Sequence, residues 1–516
     1  MIRKLLAATL LLAALPAAAQ DLKSFEAKTT VHVLKNGWTF ILVERPEAPV
    51  FSFFTLADVG SAQEVPGITG LAHMFEHMAF KGTQSIGTTN YAEEKKAIDA
   101  QETAYQAYQA ARLAPKADPK RVEELRKAFK AREAETEKYV VKNEFDDVVT
   151  REGGVGLNAF TSADETGFFY SLPANKTELF AFLESERFYR PVFREFYRER
   201  DVVFEERRQR TESTPIGRMV EQFVAAAFTA HPYHHPTIGY ASDLQSFTLT
   251  DAESFFRANY APANLVTAIV GDIHTKELIP VLERYFGRIP ARPKPQPLRT
   301  VEPVQVAEKS VVIEDPAQPF YLEAYHKPAS TDPDQAVYQA IDDILSGGHT
   351  SRFYRSLVRD QKLAVQVQSF SGFPGQKYPN LWAVLAVPAV GVTNEKVQAA
   401  LHAEIARLQK EDVSDEELAR FKTRAKARLV RSLRDNEGIA NQMAEYQRLH
   451  GDWRELFRET DRLDRVTKAD IRRVANQALQ KSNRTVTMIT TTKGGPAPEA
   501  GEKPRAGEAP PAPGSR

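Results

Sequence analysis

A chain of 516 residues, 42% of them apolar, is long enough for more than one domain and can fill their cores. Its 68 basic residues balance 68 acidic ones, which excludes a global field that would recruit nucleic acid or an anionic membrane surface. With no cysteine, disulfides, thiolate metal sites and a lipid-modified cysteine anchor are excluded too.

Residues 1–19 have the layout of a secretory signal peptide: Arg3 and Lys4, an apolar run from Leu5 to Leu15, then small residues up to a cut after Ala19. The run is shorter than the roughly 20 apolar residues of a membrane span. The mature chain, with 66 basic against 68 acidic residues, is therefore expected in the periplasm or outside the cell, with no stable membrane span.

VHVLKNGWTFILVE, 31–44, predicts a hairpin turning at Asn36-Gly37, and 50–60 predicts another strand. PGITG breaks that strand before a helix over 71–80, which Gly82 stops. Residues 91–142 hold two runs of strong helix formers separated by APKADPK, read as a projecting helical hairpin with a solvated charged face. Strand character returns at 153–173, a helical region covers 175–228, and 263–273 reads as a buried strand. A linker at 289–305 contains five prolines within IPARPKPQPLRTVEP. A second strand–helix region, 306–491, precedes a low-complexity tail at 492–516.

The two regions share a weak repeat at an offset of 219 residues. Thr248 meets Thr467, Asp251 meets Asp470, and Asn264 meets Asn483, each asparagine followed by an apolar β-branched run. A repeated helix-then-strand unit points to two similar domains.

The chemistry concentrates in LAHMFEHMAF. On a helix His73 and His77 project from nearly the same face, with Glu76 beside them. The two rings could grip one cation at about 2.0–2.1 Å, and zinc suits imidazole and carboxylate ligands and lowers the pKa of a bound water to about 7. Glu76 could take that water's proton and pass it on. The alternative, a polar stripe on a surface helix, is opposed by apolar Leu71, Met74, Phe75, Met78 and Phe80, which surround the helix and predict burial. A third ligand is required, and RERDVVFEERR offers Glu199 and Glu206 on one helical face. One could bind metal while the other steadies a histidine; a charged surface helix is the alternative.

GSAQEVPGITGLAHMFEHMAFKGT, LNAFTS, ERDVVFEE and HPYHHPTIG resemble successive blocks of the pitrilysin/insulinase family, inverzincins that include mitochondrial processing peptidase, over most of 28–490. The resemblance implies an α+β fold of two related domains, each a largely antiparallel sheet backed by helices, forming half of a clam-shell chamber. The zinc-binding peptidase domain would span 28–288, with 91–142 inserted, and a related domain without zinc would span 306–491. It implies Zn2+ held by His73, His77 and Glu206, with Glu76 as general base and Glu199 as supporting carboxylate. The interval from His77 to Glu206 is longer than the family's by about the length of the 91–142 hairpin, which marks that hairpin as an insertion. Asn158, Ala159, Phe160 and Thr161 would form an edge strand that pairs with an extended peptide substrate.

The second half departs from the pattern. Arg359 aligns with a substrate-holding arginine, but Val365 or Gln366 stands where the partner tyrosine belongs, and no second H-x-x-E-H occurs. A chain of this length would act as a homodimer, or as a heterodimer with a related zinc-less subunit that carries the Arg/Tyr pair. The implied function is an exported zinc-dependent endopeptidase hydrolysing peptides or short unfolded polypeptides. The alternative is a non-catalytic or peptide-binding subunit of a heteromeric processing complex.

Overall fold

The structure, a computed structural model, describes residues 22–492. The expected signal peptide and nearly all of the expected tail lie outside the described residues.

Six strands form one sheet: β1 (Thr29–Val33), β2 (Thr39–Glu44), β3 (Val50–Ala57), β4 (Val155–Thr161), β5 (Thr166–Pro173) and β6 (Leu265–Gly271), in the order β1-β2-β6-β3-β5-β4. Five form another: β7 (Lys309–Asp315), β8 (Phe320–Lys327), β9 (Ala364–Phe373), β10 (Asn380–Pro388) and β11 (Arg484–Thr491), in the order β7-β11-β8-β10-β9. Among these strands β2–β6 and β7–β11 pair in parallel and the other neighbours antiparallel. The fold is thus α+β with two related, largely antiparallel sheets backed by helices, as the resemblance implies. In both sheets the last strand in sequence inserts beside a parallel neighbour and an antiparallel one; the first sheet adds β1 at its edge.

The repeat noticed in the sequence has a physical origin. Thr248 and Thr467 each cap a helix in a reciprocal box with Asp251 and Asp470. Asn264 Nδ2 then donates to Asn259 O at the end of that helix (3.0 Å) and to Asp58 O just past β3 (3.1 Å). Asn483 Nδ2 does the same with Ala478 O and His326 O, both at 2.8 Å. Each asparagine fastens a helix end to a neighbouring strand end, so both halves keep it.

Side chains alternate across the first sheet. Phe40, Leu42, Phe51 and Phe53 face a core shared with the motif helix, Leu71–Met78, and with the helix Thr177–Tyr189. Ile41, Val43, Phe54 and Leu56 face the other way, onto Ile439, Ala440, Met443 and Trp453 from the second half. Reciprocally, Met219, Phe223 and Val224 of the helix Pro215–Ala227 cover the second sheet at Leu322, Ala324, Leu381 and Ile489. The two halves therefore exchange helices, although the proline-rich stretch separates them in sequence.

The 91–142 segment forms the expected pair of helices, Tyr91–Arg112 and Pro119–Thr136. They do not project freely. Tyr105 and Phe129 are buried, and the Tyr105 ring lies 3.9 Å from that of Tyr197. Arg200 stacks on both tyrosines, and Glu94 forms a buried bidentate pair with Arg194. A few aromatic residues among many charges suffice to dock the hairpin, each buried ring contributing about 1.5–3 kcal/mol.

Candidate metal centre and substrate edge

The motif helix starts at a fixed point. Its N-cap, Gly70, has φ of 99°, and a Cβ there would meet Ile238 O at 2.7 Å, so glycine is required by both conformation and space. The orphan N–H groups of the first turn are satisfied from upstream: Glu64 accepts from Gly70 N and Ala72 N, both at 2.7 Å. Burial pushes the Glu64 carboxyl well above its ordinary pKa, against the pull of those two N–H groups. Asp243 anchors the preceding loop by accepting from Gly67 N, Thr69 N and Thr69 Oγ1 at 2.7–3.1 Å. Neither role follows from a standard capping pattern, because the carboxylates lie far from the cap in sequence, and the sequence reading missed both.

His73 and His77 point from this helix toward Glu206 on the helix Phe196–Arg207. His73 Nε2 is 3.8 Å and His77 Nε2 3.6 Å from Glu206 Oε2, and one ligand atom from each residue lies within 4.8 Å of the others. Atoms bound tetrahedrally at 2.0–2.1 Å stand about 3.4 Å apart, so the spacing fits one small cation. The donor set also fits. Neither ring nitrogen of His73 makes a hydrogen bond, Nδ1 being buried without a partner. Two imidazoles and a carboxylate match zinc chemistry.

Electrostatics separate the two histidines. Burial lowers the His73 pKa to about 4, with His77 adding to the fall, which keeps the ring neutral and able to ligate. Burial also works against a charge on His77, but bonds to Glu199 and Glu206 outweigh it and raise the pKa to about 9. In Glu206 burial opposes ionisation, yet His77, His73 and Arg210 together hold the carboxyl below its ordinary value. Arg210 engages Oε1 of Glu206 at 2.5 Å, leaving Oε2 toward the histidines. Glu199 lies 3.5 Å from His77 Nδ1 and pairs with Lys81, the position of an outer carboxylate that orients a ring.

Glu76 is half-buried beside this cluster, and burial lifts its carboxyl above the ordinary value. Thr161 Oγ1, on β4, donates to its Oε2 at 2.6 Å. β4 is the edge of the first sheet, so one side of it is unpaired. A cavity of about 330 Å³ opens between them, and Glu76, His77, Asn158, Ala159 and Glu199 share its wall. Two residues of the sequence reading stand apart. Phe160 turns to the other face of the sheet, packing over Gly167 and 6.0 Å from the Phe54 ring. Arg359 is exposed, bound to its neighbour Asp360 at 2.6 Å, and lines neither the cavity nor the cluster.

Two histidines of one helix and a carboxylate of a second, on one sheet of a two-sheet α+β chain, form a group that could hold a metal ion. Residues 40–131 match the family described as insulinase (peptidase family M16), and residues 246–425 match the peptidase M16 inactive domain. Together these matches span more than half of the chain, which belongs to the M16 peptidase family. It is 27% identical to zinc protease PqqE of Helicobacter pylori over 95% of this chain and 98% of that one. The crystal structure of a protease from Helicobacter pylori superposes with a TM-score of 0.75 at 26% identity, covering 90% of this chain and 99% of the other. The first half of the periplasmic protease PqqL from Escherichia coli shares the fold, with a TM-score of 0.65 at 18% identity over 90% and 92% of the two chains. Among the described residues no helix is long and apolar enough to cross a membrane.

Proposed function

We propose that this chain is an exported zinc-dependent endopeptidase acting on peptides or short unfolded polypeptides. The observation that carries the reading is the convergence of His73, His77 and Glu206 beside a Thr161-anchored Glu76, under an open sheet edge. Zinc bound there would supply Lewis-acid activation of the scissile carbonyl and of water. His73 and Glu206 contribute a neutral ring and an ionised carboxylate as ligands, and Glu199 orients His77 through Nδ1. The substrate lies extended along β4, held through its backbone at Asn158 and Ala159. Glu76, with Oε2 fixed by Thr161, uses Oε1 to remove the proton of the attacking water and return it to the leaving amine. Burial lifts its pKa above the ordinary carboxylate value, the direction that favours handing the proton on to the leaving amine.

The exposed, self-paired Arg359 and the absence of tyrosine at Val365 or Gln366 support a dimeric working form. The partner is a second copy or a related zinc-less subunit bearing the Arg/Tyr pair. Export rests on the layout of residues 1–19 and on the likeness to half of a periplasmic protease. Quenched peptides assayed with chelator, then with zinc restored, test the activity; turnover indifferent to chelation refutes it. Peptide binding without turnover by the purified chain, alone and with candidate partners, would favour the non-catalytic subunit reading. Sedimentation of the active species gives the oligomeric state, and N-terminal sequencing of exported protein checks the cut after Ala19.

A further inference from the structure

The insertion reaches the metal centre through one buried arginine. Arg194 stands two residues before the ligand-bearing helix Phe196–Arg207, and the loop 81–87 that follows the motif helix closes around its guanidinium. All five of its N–H groups are placed. Two donate to the Glu94 carboxylate on the insertion helix Tyr91–Arg112, and three to the carbonyls of Lys81, Thr83 and Ile86. Gly82 and Gly87 take φ of 87° and 84°, and a Cβ on Gly87 would meet Arg194 Nη1 at 2.7 Å, so the loop is wound on the guanidinium. Both members of the Glu94–Arg194 pair are buried, and among the described residues Glu94 is the arginine's only ion-pair partner.

The loop begins at Lys81, four residues beyond His77. The Lys81 ammonium sits on Oε1 of Glu199 and 3.5 Å from Oε2 of Glu195, two carboxylates one turn apart at the start of the ligand-bearing helix. Glu195, the N-cap of that helix, is held at φ of 56°, a left-handed conformation that costs a glutamate energy. Its side chain makes no capping bond and turns instead to Lys81 and Arg198. With Oε1 of Glu199 engaged by Lys81, Oε2 is the atom that faces His77 Nδ1, at 3.5 Å. Contacts therefore run unbroken from Glu94 through Arg194, the Lys81 backbone, the Lys81 ammonium and Glu199 to His77.

We propose that the insertion is a brace for the metal centre, with Lys81 and the Glu94–Arg194 pair as positioning residues that fix the Glu199 carboxylate against His77. By drawing Glu195 and Glu199 onto one ammonium, Lys81 also pins the first turn of the helix that carries Glu206. This rests on the zinc reading above.

The test uses the full chain and reads zinc affinity by competition with a chromogenic chelator, so it needs no turnover. Lys81→Met should weaken zinc binding about tenfold, and Lys81→Arg should restore most of it. Glu94→Gln alone leaves a buried guanidinium without a counter-charge and is expected to unfold readily, so the informative variant joins Glu94→Gln to Arg194→Met and removes both charges. It should bind zinc about threefold or more weakly than the parent. Adding Lys81→Met to it should cost less than the product of the separate losses, since both act through Glu199. In the metal-free chain the amides of residues 196–207 should exchange faster in each variant. Zinc affinity unchanged in Lys81→Met overturns the brace; a raised KM for peptide at saturating zinc as its only effect does so too and makes Lys81 a substrate contact. A lower melting temperature of the double variant with zinc affinity kept leaves the pair a dock for the hairpin and overturns the brace as well. A parent chain that binds no zinc fails the zinc reading itself, and the brace with it.

Discussion

The motif helix of the first half and the helix Gln335–Ser346 of the second occupy corresponding places, each packed against the edge strand of its sheet. Both present a partly buried carboxylate bonded to a hydroxyl on that edge strand: Glu76 to Thr161 on β4 at 2.6 Å, Asp342 to Ser369 on β9 at 2.5 Å. They differ at the positions three before and one after the carboxylate. The first helix has His73 and His77, the second Gln339 and Asp343. Gln339 is satisfied by Glu459 at 2.6 Å, and Asp343 by Arg424 and Arg428 at 3.4 and 3.0 Å. A carboxylate on this helix is thus a shared architectural element, and the chemistry depends on whether its neighbours are closed by protein partners or left open to a cation.

The strongest challenge to that contrast is Glu76→Gln, expected to lower turnover about 10²–10⁴-fold while zinc content is kept, as read by peptide hydrolysis and metal analysis. Retained turnover would reduce Glu76 to the status of Asp342. On the proposed reading, Glu199→Gln should weaken zinc binding about 10–100-fold in a competition titration with a chromogenic chelator, because the contact of Glu199 with His77 Nδ1 is weakened. Thr161→Val should lower kcat about tenfold or more with little change in KM, and Thr161→Ser should restore it. Ser369→Ala, the matching change in the second half, should move melting temperature and leave kinetics unaltered.

Asp342 gives a pH signature. Burial raises its pKa to about 7 from an unfolded value near 3.8. Its contribution to stability is complete below the unfolded pKa and is lost as pH rises through the folded one. Between pH 4 and 7 the loss should be no more than about 4 kcal/mol, since solvent reaches part of the group. Asp342→Asn should flatten that slope in melting curves and be more stable than the parent at pH 8; an unchanged slope refutes the assignment. The smallest effects concern the repeated asparagine. Asn264→Ala should cost about 2 kcal/mol and Asn483→Ala about 1 kcal/mol in denaturant titrations, because the former is more deeply buried.

How much of this could be read from the chain follows the range of each interaction. The His73–Glu76–His77 constellation is local, three side chains on two turns of helix, and periodicity with apolar flanks identifies it. The strands of the first half follow from alternation and turn residues, whereas the antiparallel bias of both sheets is what the family resemblance implies. Glu206 lies 129 residues beyond His77, and the residues alone left it equal with Glu199 until the resemblance separated them. Thr161 was read as part of a substrate strand, and its bond to Glu76 arises only when β4 is laid beside the motif helix. Glu64 had no recognisable signal, since a cap usually comes from the residue at the helix start. The docking of the 91–142 hairpin was missed because Tyr105 and Phe129 are sparse in a charged background. The exchanged helices follow from no local pattern at all.

That exchange has a consequence for how the chain comes into being. The apolar outer face of the first sheet, with Ile41, Val43, Phe54 and Leu56, is covered by residues near 440–457. During synthesis at about 5–20 residues per second, that face waits tens of seconds for its cover. The nascent first half is therefore a natural client for a holding chaperone, and a gene fragment ending at the proline-rich stretch would yield a protein with a permanently bare, adhesive sheet.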